Sequence, residues 1–137
     1  MTKFDHGFSS DLLWKTLWDS TNDGLIVINL AGNVVACNSV MVKMVGENLL
    51  GMSITEMFES TGIRYTEDGS LATVEDLVAT RALRGEKPVQ KRWFQHNTAN
   101  PDGYYTDNTG HTLLDENGKI SGAFVIIRDV TDFVLKE

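Results

Sequence analysis

The side chains able to do chemistry in this 137-residue sequence are few and scattered. There are three histidines, His6, His96 and His111, and one cysteine, Cys37. Asp115 and Glu116 adjoin among turn-forming residues and read as solvated. No nucleophile elbow, HExxH zinc helix or phosphate-binding glycine loop is present. Without a nucleophile–base pair, catalysis is the remotest of the functions considered. A single cysteine excludes an internal disulfide and an all-cysteine metal site, and Cys37 reads as a small buried hydrophobe. A lone strand histidine more often hydrogen-bonds or meets solvent than ligates a metal.

What the spacing does suggest is non-covalent recognition. Residues 104–114 read as a strand with an unusual run of polar side chains. Alternation puts Tyr104, Thr106, Asn108 and Gly110 on one face and Tyr105, Asp107, Thr109 and His111 on the other. An unmatched buried polar group costs about 1–3 kcal/mol. If Thr106 and Asn108 face inward, a polar small molecule or ordered water would complete them; if they face outward, they are ordinary solvated positions. The same parity places Phe94 and His96 inward on the preceding strand, and Val125 and Ile127 inward on the last one. A one-residue slip would exchange the faces. Four of the five methionines, Met41, Met44, Met52 and Met57, fall in one segment. They either fill the core or re-pack around a guest. The pocket candidates are therefore Met44, Met57, Leu77, Phe94, His96, Thr106, Asn108 and Val125.

The elements that must position them follow from periodicity and caps. Residues 120–127 are a run of mostly β-branched and aromatic residues after the turn formers Asn117-Gly118, the pattern of a central strand. Asp129 and Thr131 close it with short side chains that bond local backbone. Residues 9–20 read as a helix capped by Ser9 or Ser10, with Leu13, Trp14, Leu17 and Trp18 on one apolar face. That face either packs on its own domain or meets a second copy, since aromatic anchors favour interfaces. Strands are expected at 25–30 and 34–37, a helix at 39–45 capped by Asn38 or Ser39, and a broken helical region at 48–60. A polar loop covers 62–71, and a helix with a capping-box-like start runs from 73 to 84, its stripe being Val74, Leu77, Val78 and Ala82. Strands at 89–98 and 104–114 complete an α+β arrangement, a five-stranded antiparallel sheet with short helices on one face.

Composition bounds the partners. A net charge of −7 opposes a broad basic surface for nucleic acid or anionic lipid, and 42% hydrophobic content suits a folded globule. No run approaches the roughly 20 apolar residues needed to cross a bilayer, and no signal sequence opens the chain. A cytoplasmic location is the expectation.

Three stretches in order carry a family resemblance. "STNDGLIVINLAGNVVACN" is similar to an opening hairpin leading to the asparagine before a first helix, "ATRALRGEKPV" to a helix-to-strand junction, and "LLDENGKISGAFVIIRDVTD" to a terminal hairpin with an Asp-x-Thr exit. The ordered set resembles a PAS domain, the sensory module of bacterial signalling proteins. The resemblance implies a flanking helix and tail over 1–20, the domain over 21–132 and the start of an output linker over 133–137. It implies that Asp129 and Thr131 tie the sheet to that linker, and that an attached output domain follows, such as a histidine kinase, a cyclic-dinucleotide enzyme or a transcription regulator. The implied function is binding a small molecule between helices and sheet and relaying the signal; a ligand-free dimerisation and relay module is the alternative. Leu13, Trp14, Leu17 and Trp18 are the expected homodimer contacts.

Cofactors are judged by the same resemblance. The flavin-binding photosensory branch places a cysteine near position 54, where this chain has Ile54. Flavin of that type is not expected. The haem-binding branch takes a histidine from the middle helix, and residues 73–84 contain none. Haem is not expected either, with His96 the one residue through which it would bind. The strand 104–114 departs from the family, which alternates apolar residues there and often has proline where this chain has Thr112.

Overall fold

The computed structural model describes residues 9–136; His6 lies outside them. The strands are β1 (Gly24–Asn29), β2 (Val34–Cys37), β3 (Ile63–Tyr65), β4 (Val89–His96), β5 (Tyr104–Leu114) and β6 (Ile120–Asp129). They form one sheet in the order β2-β1-β6-β5-β4-β3, antiparallel throughout. β6 is central, as its apolar run predicts, with Ala123, Val125 and Ile127 buried beneath the helices. The expected strands are all present. The sixth, β3, lies in the segment read as a polar loop. Three residues are too few to show a period, and only pairing of Ile63–Tyr65 with His96–Phe94 makes them a strand.

Local chemistry sets the helices α1 (Ser10–Ser20), α2 (Ser39–Val45), α3 (Ile54–Ser60), α4 (Val78–Leu83) and α5 (Thr131–Leu135). The buried Asn38 carboxamide caps α2 by accepting from Met41 N–H at 3.1 Å. It also accepts from Leu25 N–H at 2.9 Å and donates to the Asp23 carbonyl at 2.9 Å, so one side chain joins β1 to α2. Gly46, in the left-handed region at φ 84°, ends that helix. Ser53 and Glu56 form a reciprocal capping box on α3.

The middle helix differs from its expected 73–84 span. Asp76 accepts from the Thr73 N–H and hydroxyl and closes a 3-10 turn over Val74–Asp76. Leu77 is then extended (φ −62°, ψ 138°) before α4 begins. Leu77, Val78 and Ala79, adjacent in sequence, are all buried.

The helices α2, α3 and α4 cover one face of the sheet, closing a core around Ile26, Ile28, Met41, Leu49, Met57 and Val125. α4 approaches β5 so closely that a Cβ on Gly110 would lie 2.5 Å from the Val78 carbonyl oxygen. Thr112 donates to the Ala82 carbonyl at 2.6 Å and so satisfies the end of α4. The other face carries Arg92–Asp107 and Arg128–Asp23 ion pairs and the Phe94–Tyr105 ring pair, centroids 4.9 Å apart.

α1 is capped by Ser9 as expected, but none of its side chains is buried. Leu13 and Trp18 are half-buried, whereas Trp14 and Leu17 are 56% and 58% exposed. The Trp14 and Trp18 rings lie 5.5 Å apart on the helix surface. Among the described residues, no helix is long and apolar enough to cross a membrane.

The contact at Gly110 yields a prediction. Gly110→Ala forces α4 off β5 and is expected to destabilise the fold by about 1–3 kcal/mol, the usual cost of overpacking. Urea unfolding measures this; a change within error would mean that α4 moves aside freely.

Candidate functional site

Between the helices and the sheet lies an internal cavity of about 30 Å³, room for a water molecule or two. β1, β4, β5 and β6 form its floor, with the Trp93 ring and Asn108 among the lining groups; Met41, Met57 and Val78 form the roof. The larger concavities are grooves open to solvent, among them one beside the 66–70 loop.

The expected pocket residues divide into groups. Met57, Leu77, Asn108 and Val125 line the cavity, as does Ile127. Thr106 is fully buried behind Asn108, one step from the cavity. Met44 packs against the core and contributes its backbone carbonyl to the neighbouring polar network. Phe94 and His96 are corrected: both lie on the opposite face of the sheet, where His96 stacks against Tyr65 and Phe94 meets Tyr105 in a tilted ring pair. The register pairs Trp93 with Thr106 and Gln95 with Tyr104, so Trp93 and Gln95 take the inward positions. Bulky aromatics stand side by side at 93 and 94, and the sequence alone therefore reads equally well in either parity.

The inward polar face of β5 is largely bonded within the protein. Asn108 Nδ2 donates to Thr106 Oγ1 at 2.8 Å, and Thr106 Oγ1 donates to Gln95 Oε1 at 2.8 Å. Gln95 Nε2 donates to the Tyr104 phenol oxygen at 3.0 Å, which also receives Asn97 Nδ2 at 3.1 Å. Asn100 Nδ2 donates to the Met44 carbonyl at 2.9 Å, linking this network to the end of α2. Burial pushes the Tyr104 phenol upward, so it stays neutral.

Arg64 was missed by the sequence reading. It sits on β3, is only 7% exposed and lines the cavity. Its guanidinium donates to Thr61 Oγ1 and, at 3.4 Å, to the Phe58 carbonyl, and lies 5.3 Å from the Phe58 ring centroid. No carboxylate among the described residues pairs with it; the other ion pairs use Arg81, Arg84, Arg92 and Arg128. Burial lowers the group to about 10, which leaves it cationic at neutral pH. The alternation Ile63-Arg64-Tyr65 after Gly62 was its only sequence signal. Arginine is so seldom buried that a polar-loop reading prevailed.

At the far end of β5 is the chain's exit. Asp129 Oδ1 accepts from Thr131 N–H at 2.9 Å and from its hydroxyl at 2.6 Å. Thr131 Oγ1 in turn accepts from Tyr105 N–H at 2.9 Å, and Val130 N–H donates to the Tyr105 carbonyl at 2.9 Å. Asp129 and Thr131 thus fasten the start of α5 to β5. For the cofactor positions, Ile54 begins α3 and packs on the core, and His111 is half-buried on the outer sheet face. Burial raises the Cys37 thiol above its ordinary range. No group of three or more potential metal-binding side chains occurs among the described residues.

Comparisons with known proteins agree with this architecture. No curated protein sequence matches the chain. The PAS domain of an HTR-like protein from Haloarcula marismortui is similar in fold, with TM-score 0.60 and 14% identity over 88% of this chain and 91% of that one. VqmA of Vibrio cholerae gives TM-score 0.67 and 15% identity over 89% of this chain and 52% of that one. The PAS domain of histidine kinase ThkA gives 0.54 and 17% over 78% of this chain and 99% of that one. At these identities the likeness concerns fold alone. The family model described as PAS fold matches residues 18–135. Those residues include the six-stranded sheet, the covered cavity and the Asp129–Thr131 exit, and the chain belongs to the PAS family of sensory signalling modules.

Proposed function

We propose that this domain is a cytoplasmic, homodimeric sensor that takes a small molecule into the internal cavity and relays its presence to an attached output domain. The observation that carries the reading is that one strand serves both ends. β5 presents Asn108 to the cavity and, through Tyr105, holds Thr131 at the exit. A shift of β5 on filling the cavity would change the strain on the start of α5. The roof supports such filling, because Met41 and Met57 are unbranched and re-pack at low cost. A histidine kinase output is consistent with the histidine-kinase PAS domain among the structural neighbours. Catalysis by the domain itself has no support from the site.

A ligand-free relay is the second reading, favoured by a cavity of only about 30 Å³. Native mass spectrometry on gently purified protein separates the two. A defined adduct lost on denaturation is expected; repeatedly bare protein would leave the relay alone.

Self-association is assigned to α1. An isolated helix of 11 residues is marginal in water unless an apolar face is covered, and Leu12, Trp14 and Leu17 are each more than half exposed. The pair Trp14→Ala and Trp18→Ala is expected to weaken the dimer by about 2 kcal/mol or more, roughly thirtyfold in Kd. Sedimentation across a dilution series measures it, and an unchanged Kd would remove α1 from the interface.

At the exit, Thr131→Ala removes the acceptor for Tyr105 N–H. The expected cost in global stability is about 1 kcal/mol. Amide exchange at Tyr105 and through α5 should rise several-fold beyond that of the remaining sheet. A uniform rise across the sheet would show that the junction is part of the general fold and not a separate hinge.

A further inference from the structure

We propose that the ligand is a small organic carboxylate whose carboxylate group pairs with Arg64 and whose apolar body lies among the methionines. This rests on the ligand-binding reading above. The surroundings of Arg64 are one-sided. It is a cation buried beside α3, with a hydroxyl, a backbone carbonyl and an aromatic ring as its partners and no anion among the described residues. A buried charge without a counter-ion is costly, and chains retain one where something else supplies the opposite charge. Guanidinium has five N–H donors in a planar fork that matches a carboxylate, and Arg64 uses it for two hydrogen bonds within the protein.

A second polar group lines the same cavity. Asn108 makes one side-chain hydrogen bond among the described residues, from Nδ2 to Thr106. Its second amide hydrogen and its carbonyl oxygen are left for a guest. Arg64 and Asn108 both border the cavity, with Met41, Met57, Val78 and Val125 among the apolar residues of its wall. One charged donor, one amide, Thr61 and a lining that is mostly apolar elsewhere suit a monoanion with a short hydrocarbon or aromatic body better than a sugar or a nucleotide. At about 30 Å³ the cavity holds little more than the head of such a molecule, so entry requires the two roof methionines to turn aside.

The test compares acids with their amides on the intact chain. Acetate, propionate, succinate and benzoate are added at matched ionic strength against chloride, phosphate and the corresponding amides, and Tm is followed. At least one carboxylate is expected to raise Tm by several degrees in a saturable manner, its amide and the inorganic anions leaving it unchanged. Arg64→Met removes the charge and keeps an unbranched apolar stem. It is expected to match or exceed the wild-type Tm without ligand and to bind the active carboxylate at least tenfold more weakly. If that variant does not fold, the Arg64 Nε–H resonance of the wild-type chain, which should move on titration with the acid and not with the amide, decides in its place. Equal stabilisation by phosphate, equal action of acid and amide, or full binding by Arg64→Met would overturn the proposal. So would inactivity of all four acids. If native mass spectrometry then still finds a releasable neutral adduct, the carboxylate is wrong and the sensory cavity stands; if it finds none, both fall.

Discussion

A sheet packed beneath helices ordinarily turns apolar side chains inward, and β5 does not. Its inward face carries Tyr104, Thr106 and Asn108 before reaching Gly110. Much of the surrounding structure answers that constraint. Gln95 is held inward on β4 to meet both Thr106 and Tyr104, and Asn97 and Asn100 bend the β4–β5 connection so that their amides reach Tyr104 and the end of α2. Among the described residues no buried side-chain nitrogen or oxygen lacks a partner. Such a network fixes register more tightly than apolar packing would, because a slip of one residue would strand several polar groups at about 1–3 kcal/mol each.

The same network explains why the cavity is small and where it can grow. The floor is bound by hydrogen bonds between neighbouring strands and does not yield readily. The roof is methionine, aliphatic carbon and the short α3 and α4, and the chain between them is interrupted at Leu77. The methionine side is thus the softer one, while β5 runs from the cavity to Tyr105, which bonds the Asp129–Thr131 clasp. Arg64 stands where the two sides meet, on the edge strand but bonded to the end of α3 through Thr61 and Phe58.

How far the sequence revealed this depends on whether the determining interactions are local. Asn38 and Gly46 bracket α2, Ser53 and Glu56 cap α3, and Asn117-Gly118 turns the last hairpin. Each acts within a few residues, and each was legible. The central place of β6 was legible too, from its unbroken apolar run. What escaped depends on distant partners. β3 exists because β4 offers it an edge. Phe94 and His96 were assigned to the wrong face because apolar bulk at both Trp93 and Phe94 leaves alternation undecided until a partner strand fixes it. Arg64 could not be seen as an interior residue at all, since its burial is made by α3 and β4 together.

The two outermost strands of the sheet are also its shortest, four residues in β2 and three in β3. An exposed strand edge is a template on which another chain can add itself, and stubby edges offer too few backbone groups for that. Edge-to-edge addition of further strands is disfavoured by this construction. Any partner that docks on such a sheet is selected by side chains and so by sequence, not by bare backbone.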